Sequence, residues 1–144
     1  MSIDHPVPDH PLARAAVAEI EASHDFFVRW FLGTATRNEF ELWLTTTHPA
    51  FRLTTPGGDM LDRAAIVPWI EGAFASMTER FEIGIEDVEL VHASGDAVLL
   101  IYIERQYRDG RITRRRSMAL FLGDEAAARG VVWRHLQETW MQTG

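Results

Sequence analysis

The side chains that could do chemistry lie on the predicted strands of the C-terminal half. Glu104 and Arg115 stand at equal distances on either side of an Asp109-Gly110 dipeptide. Asp-Gly between two alternating runs predicts a two-residue hairpin turn, and counting outward pairs Glu104 with Arg115. Arg115 could bind a ligand carboxylate while Glu104 orients it or acts as base. The alternative is a structural ion pair between neighbouring strands.

His135 is the second candidate, on the last predicted strand. It alternates with Trp133, Gln137 and Thr139, which predicts that these side chains share one face. Polar groups beside a tryptophan on a buried face indicate a cavity that these side chains line. An unperturbed imidazole has a pKa of about 6.5, which suits acid–base chemistry at neutral pH. The alternative is a buried histidine that is hydrogen-bonded to Tyr102 or Gln137.

The predicted hairpin register completes the candidate site. It places Tyr102 opposite Ser117, on the face that carries Glu104 and Arg115. The catalytic candidates are Glu104 and His135. The ligand-binding candidates are Trp30, Tyr102, Arg115, Ser117, Trp133 and Gln137.

Two residues of the first predicted helix can be explained by packing in the core rather than by a role in a binding site. Trp30 could line an aromatic pocket, but aromatic side chains commonly belong to the core. His24 lies between Ile20 and Phe27 on the apolar stripe of the first predicted helix, and we interpret it as a packed or half-exposed residue.

Composition excludes several kinds of chemistry. The 144 residues include no cysteine and no lysine, since all 14 basic residues are arginine. Thiolate nucleophiles, disulfides and lysine Schiff bases are therefore excluded. The net charge of −7 disfavours nonspecific binding to nucleic acid. The histidines lack metal-ligand spacing and no glycine-rich phosphate loop occurs, so we expect neither a metal nor a cofactor.

The sequence carries no sign of a membrane or of export. No apolar run approaches the roughly 18 residues of a membrane span, and residues 1–11 lack the pattern of a signal peptide. We therefore expect a cytoplasmic protein without membrane contact. The length suits a single domain, with residues 1–11 as a flexible tail and residues 12–144 as the folded part.

Hydrophobic spacing predicts the elements that must position these residues. Three helices are predicted, over residues 12–31, 37–44 and 62 to about 77. Pro68 kinks the third helix or delays its start. Five strands are predicted, over residues 51–55, 81–92, 97–108, 111–122 and 131–141. Helices gathered before an antiparallel meander indicate an α+β fold.

Both faces of the predicted 97–122 hairpin are apolar away from its turn. A sheet with one solvated face would not show this pattern. The helices can cover only one face, so the other needs a partner, and the simplest partner is a second copy of the chain. We predict a homodimer through the outer face, which bears Leu99, Ile101, Met118 and Leu120.

The element order, the segment from Phe51 to Gly58, the helix that begins near Asp62 and the closing strand from Trp133 to Thr139 resemble those of nuclear transport factor 2-like proteins. This superfamily includes ketosteroid isomerases and SnoaL-like polyketide cyclases. The resemblance covers about residues 12–141. It implies a cone-shaped, cystatin-like barrel, in which N-terminal helices pack in a curved antiparallel sheet around a pocket.

The resemblance does not extend to ketosteroid isomerase chemistry. Those isomerases carry a catalytic aspartate before the proline that ends the first strand, where this chain has Thr55, which cannot act as a carboxylate base. Their oxyanion hole uses a tyrosine and a protonated acid. The first helix here has no tyrosine, and the penultimate strand offers Ser117, Met118 and Ala119.

Two classes of function follow from these expectations. The first is a small-molecule-binding domain, with acid–base activity of the isomerase, cyclase or dehydratase type on a hydrophobic substrate. The second is a non-catalytic dimerisation or association module.

Overall fold

A computed structural model of the chain describes residues 3–4 and 8–142. The helices in this part are α1 Pro11–Phe31, α2 Arg37–Leu44 and α3 Arg63–Gly72. The strands are β1 Ile3–Asp4, β2 Thr47–Thr54, β3 Met60–Asp62, β4 Phe81–Ser94, β5 Ala97–Arg108, β6 Arg111–Gly123 and β7 Val131–Trp140. The protein is α+β, as expected, with its helices packed against a curved sheet. No described helix is long and apolar enough to cross a membrane.

The strands form one sheet in the order β1-β4-β5-β6-β7-β2-β3. β4 to β7 are an antiparallel meander, as predicted. β2 adds to β7 in parallel and β1 adds to β4 in parallel, so the sheet is mixed rather than antiparallel throughout. β1 and β3 are its two edges within the described residues, and the sheet is therefore open rather than a closed barrel.

The N-terminal segment contacts the domain where the structure describes it. Of the expected tail, residues 1–2 and 5–7 lie outside the described residues. Ile3–Asp4 pairs with β4 at Ile85 and Glu86. His10 Nδ1 accepts a hydrogen bond from the Ala13 backbone N–H at 3.2 Å and so caps α1. Such a cap satisfies one of the backbone donors that the first helical turn leaves free.

The central hairpin has the predicted register. The predicted pairs of Glu104 with Arg115 and Tyr102 with Ser117 are present, and Arg108 faces Arg111 next to the turn. Asp109 and Gly110 have positive φ angles of 54° and 74°. A type I′ turn requires positive φ at both central residues, which explains why this dipeptide sets the pairing.

A β-bulge in β7 changes the predicted faces of the last strand. Trp133 pairs with Phe121, but the next pair toward the C-terminus is His135 with Leu120, so the register shifts between them. An extra residue in one strand inverts the alternation beyond it. The side chains that follow Trp133 on the inner face are therefore Leu136, Glu138 and Trp140, and those on the outer face are His135, Gln137 and Thr139.

Helix α1 carries one apolar stripe against the sheet. Its buried residues include Ala16 and Ile20, and His24 follows four residues later on the same face. The helix thereby brings a buried histidine to the inner side of β5. The third helix ends at Gly72 rather than near residue 77, with Pro68 inside it.

Candidate functional site

A cavity of about 280 Å³ lies between the three helices and the inner face of the sheet. That volume is just below the usual range of about 300–1,000 Å³ for ligand pockets. Most of the wall is apolar, and its aromatic members are Phe27, Phe31, Trp43, Phe51, Trp69 and Trp133. Trp69 is 61% exposed and lies where the cavity meets solvent. The cavity suits a small ligand that is largely apolar.

Four charged side chains share one part of the cavity wall. They come from four elements, with His24 on α1, Glu104 on β5, Arg115 on β6 and Glu138 on β7. His24 Nε2 lies 2.8 Å from Glu104 Oε1. Arg115 Nε lies 3.9 Å from Glu104 Oε2, and Arg115 Nη1 lies 3.4 Å from Glu138 Oε1. We call these four residues the charged cluster.

His24 and Glu104 form a buried ion pair. His24 Nδ1 is 2.7 Å from the Ile20 carbonyl oxygen, which can only accept, so Nδ1 carries a proton. Burial opposes protonation of His24, but the Glu104 carboxylate outweighs it and raises the pKa of His24. Burial also opposes ionisation of Glu104, yet His24 and Arg115 lower its pKa to about 2. The Glu104 carboxylate therefore favours a protonated His24, and the neighbouring cations favour an ionised Glu104.

Glu138 behaves oppositely to Glu104. Burial, with the nearby Glu104 carboxylate, raises the pKa of Glu138 to about 7, although Arg115 opposes the shift. Two neighbouring carboxyl groups with widely separated pKa values are typical of acid–base sites. Glu138 is thus a wall residue that changes its protonation state near neutral pH.

Tyr102 and Ser117 lie beside the charged cluster but do not line the cavity. Both are fully buried. Burial, with the Glu104 and Glu138 carboxylates, raises the pKa of Tyr102 well above its usual value, so its phenol stays neutral. Within the described residues, neither hydroxyl makes a hydrogen bond of standard geometry.

A second polar cluster holds the indole ring of Trp133 in the cavity wall. Trp133 Nε1–H donates to Glu19 Oε2 and to Ser23 Oγ, each at 3.2 Å. Arg129 Nη1 lies 3.3 Å from Glu19 Oε1. Burial raises the pKa of Glu19, opposed by Ser23 and Arg129. These contacts fix the orientation of one aromatic ring that a ligand would touch.

The structure brings some predicted site residues together and separates others. Glu104, Arg115 and Trp133 line the cavity. His135 and Gln137 were expected beside them but lie on the outer face, because the bulge in β7 inverts the alternation. Burial and two neighbouring arginines lower the pKa of His135. It has no contact with the charged cluster.

Trp30 is a core residue and does not line the cavity. Its indole N–H donates to the Ile70 carbonyl oxygen at 2.7 Å. Its ring stacks on Phe40 with 4.9 Å between centroids. The structure therefore shows Trp30 in the core and not in the wall of the pocket.

His24 and Glu138 are the cluster members that sequence reasoning missed. The sequence carries a signal for His24, because a histidine on the buried stripe of α1 needs a hydrogen-bond partner. Strict alternation from Trp133 places Glu138 on the outer face, and no residue type in β7 marks the bulge. Among the described residues, no group of three or more histidine, aspartate or glutamate side chains is arranged to hold a metal ion.

Solved structures of the same fold match nearly the whole chain. An NTF-2 like protein of unknown function from Pseudomonas aeruginosa gives a TM-score of 0.81 at 24% identity, over 89% of this chain and 99% of the other. A proposed dehydratase of the NTF2-like family from Streptomyces avermitilis gives 0.64 at 14%, over 92% and 97%. The CaMKII hub from S. rosetta gives 0.63 at 12%, over 95% and 100%. No family model and no curated protein matches the sequence.

Proposed function

We propose that this protein, which has the nuclear transport factor 2-like fold, binds a small apolar molecule in its cavity and exchanges a proton with it through Glu138. The observation that carries the proposal is the position of Glu138. This carboxyl group lies in the wall of a mostly aromatic cavity, and its pKa is about 7.

The cavity environment favours proton transfer at Glu138. A general acid or base works best when its pKa lies near the working pH. The surrounding apolar wall strengthens electrostatic interactions with any charge that develops on the ligand. Arg115 Nη1 contacts the Glu138 carboxyl group at 3.4 Å and holds it at the wall. The His24–Glu104 ion pair is a positioning element, because it anchors Arg115 from the other side.

The bicyclic ketone 2-tetralone, which is largely apolar, tests both parts of the proposal. We expect it to bind, and we expect exchange of its α-protons with deuterated solvent to be accelerated by the protein. Glu138→Gln is expected to slow that exchange about 100-fold or more while binding persists, because a general base contributes on the order of 10²–10⁴. Binding is measured by tryptophan fluorescence and exchange by proton NMR.

Filling the cavity provides the matched control. Leu136 lines the cavity, so Leu136→Trp is expected to abolish both binding and exchange. Leu42 is exposed on α2, and Leu42→Trp should change neither. Ketone binding that is unaffected by Leu136→Trp would contradict the cavity as the site. Exchange that is as fast in Glu138→Gln as in the natural protein would contradict the proton-transfer role.

A non-catalytic association role is the second candidate, and the outer sheet face supports it. Ile101 and Met118 line a groove on that face. Met118 is 45% exposed, and adjacent apolar side chains on a surface can mark a protein–protein contact. One of the matching structures is a kinase hub, and another is described as a kinase association domain. Under this candidate the occupant of the face is a second copy of the chain.

Met118→Glu tests the association role. A glutamate in an apolar interface would be buried without a partner, so the variant is expected to weaken dimerisation on the order of 100-fold. Sedimentation equilibrium at micromolar concentration measures this. Met60→Glu is the control, because Met60 is an exposed methionine on β3. A natural protein that is monomeric in this concentration range would rule the dimer out.

A further inference from the structure

We infer that the molecule bound in the cavity is an apolar monoanion, a carboxylate in its simplest form, whose charge pairs with Arg115. The inference rests on the proposed function, since it names the class of molecule that the cavity takes. It assigns Arg115 the role of anchoring the ligand.

The contacts of Arg115 do not engage all the hydrogen-bond donors of its guanidinium group. The side chain is 17% exposed in the cavity wall. Within the described residues, its buried Nε has no hydrogen-bond partner, and its Nη1 makes a long hydrogen bond to Glu138. The guanidinium carbon lies 4.7 Å from the centroid of the Trp140 ring, which packs one face. A guanidinium has five N–H donors, so this one retains donors for a ligand oxygen.

The charges around Arg115 leave it without a full counter-ion. His24 on α1 is paired with Glu104 on β5, so these two charges offset each other. Glu138 on β7 is neutral whenever it holds its proton. The remaining wall residues, from α2, α3 and β2 to β4, carry no ionisable side chain. With Glu138 protonated, the charged cluster then carries one net positive charge in a largely desolvated wall, where an uncompensated charge is costly.

A bound carboxylate would relieve this cost. It would accept N–H bonds from Arg115 and an O–H bond from protonated Glu138, and both are short, strong types of hydrogen bond. Ionisation of Glu138 would place a competing negative charge beside the ligand. Since the pKa of Glu138 is about 7, affinity should be nearly constant below that pH. Above it, affinity should fall by about tenfold per pH unit.

Two probes of equal shape test the charge requirement. We expect 2-naphthoate to bind about tenfold or more tightly than 2-naphthamide at pH 6, measured by isothermal titration calorimetry. Arg115→Gln should weaken 2-naphthoate binding by about tenfold or more and leave 2-naphthamide nearly unchanged. Arg111→Gln is the matched control, because Arg111 is an exposed arginine on the same strand and should change neither affinity.

The pH dependence tests the role of Glu138 separately from His24. Loss of the His24 proton would also weaken anion binding at high pH. We expect the affinity of the natural protein for 2-naphthoate to fall about tenfold between pH 6 and pH 8, and the affinity of Glu138→Gln to be nearly unchanged. A pH dependence that persists in Glu138→Gln would overturn the assignment of the proton to Glu138.

The remaining outcomes separate the inference from the proposed function. If 2-naphthamide binds as tightly as 2-naphthoate, the charge requirement is wrong, although the cavity still takes apolar molecules. If neither probe binds the natural protein at either pH, the proposed function fails with the inference. Should Arg115→Gln not fold, the ratio of the two affinities in the natural protein decides the question by itself.

Discussion

Replacing Glu104 with alanine is expected to lower the free energy of unfolding by about 3–5 kcal/mol. Glu104 is 4% exposed, and it is the carboxylate that His24 Nε2 contacts at 2.8 Å. Its removal takes the carboxylate away from Arg115, whose guanidinium cannot give up its proton, and from His24, whose proton burial opposes. Breaking a buried ion pair by removing one partner is costly, because the other charge stays desolvated. Urea denaturation at pH 7 measures the change.

The exposed glutamate Glu89 on β4 gives the matched control. Glu89→Ala should change the free energy of unfolding by less than about 0.5 kcal/mol. A double-mutant cycle with His24→Gln and Glu104→Gln isolates the pair, and we expect a coupling energy above about 1 kcal/mol. If the free energy of unfolding falls as little in Glu104→Ala as in Glu89→Ala, the ion pair does not stabilise the fold.

The difference in stability between Glu104→Ala and the natural protein should also depend on pH in a defined direction. Because the folded pKa of Glu104, about 2, lies below its ordinary value of 4.5, its ionisation stabilises the folded state above pH 4.5. That contribution is lost as the pH falls from 4.5 to 2. The difference between the natural protein and Glu104→Ala should therefore narrow over this interval.

Glu138→Gln is expected to be more stable than the natural protein at pH 8, by about 3 kcal/mol, and nearly equal to it at pH 5. The folded pKa of Glu138, about 7, lies above its ordinary value of 4.5. The folded state therefore holds a proton that the unfolded state has already lost between these values, and stability falls as the pH rises through this interval. Glutamine keeps the shape of the side chain and removes the cost of ionising it.

Unfolding curves at pH 5 and pH 8 for both proteins measure this effect. The raised pKa of His24 also makes stability fall as the pH rises. Glu138 is the smallest of the causes of that raised pKa, so most of this contribution is common to both proteins and cancels in their difference. Glu125→Gln, an exposed loop substitution, should leave the pH profile unchanged. Equal stabilities of Glu138→Gln and the natural protein at pH 8 would contradict the raised pKa of Glu138.

Much of the fold could be predicted from the sequence, because the signals involved are local. The turn at Asp109-Gly110 has positive φ at both positions, a conformation for which Asp-Gly is a preferred dipeptide. The turn alone sets the register that pairs Glu104 with Arg115. Alternation over the four long strands and the apolar stripe of α1 are equally local. Their agreement predicts the α+β class without reference to any tertiary contact.

The partners of Glu104 could not be predicted in the same way. His24 lies 80 positions earlier in the chain, and only the packing of α1 against β5 brings the two side chains together. Helical periodicity shows which face of α1 is buried, but it does not show which strand residue that face meets. The ion pair is therefore a property of the tertiary structure.

The sequence by itself determined the fold class, the central hairpin and the placement of Glu104 opposite Arg115, since turn chemistry and alternation act over neighbouring residues. Only the tertiary structure decided the rest of the charged cluster. The bulge in β7 turns Glu138 inward and His135 outward, and no residue type in that strand marks it. An insertion of one residue reverses every side chain beyond it, so a feature without a local signal determined which acid faces the cavity.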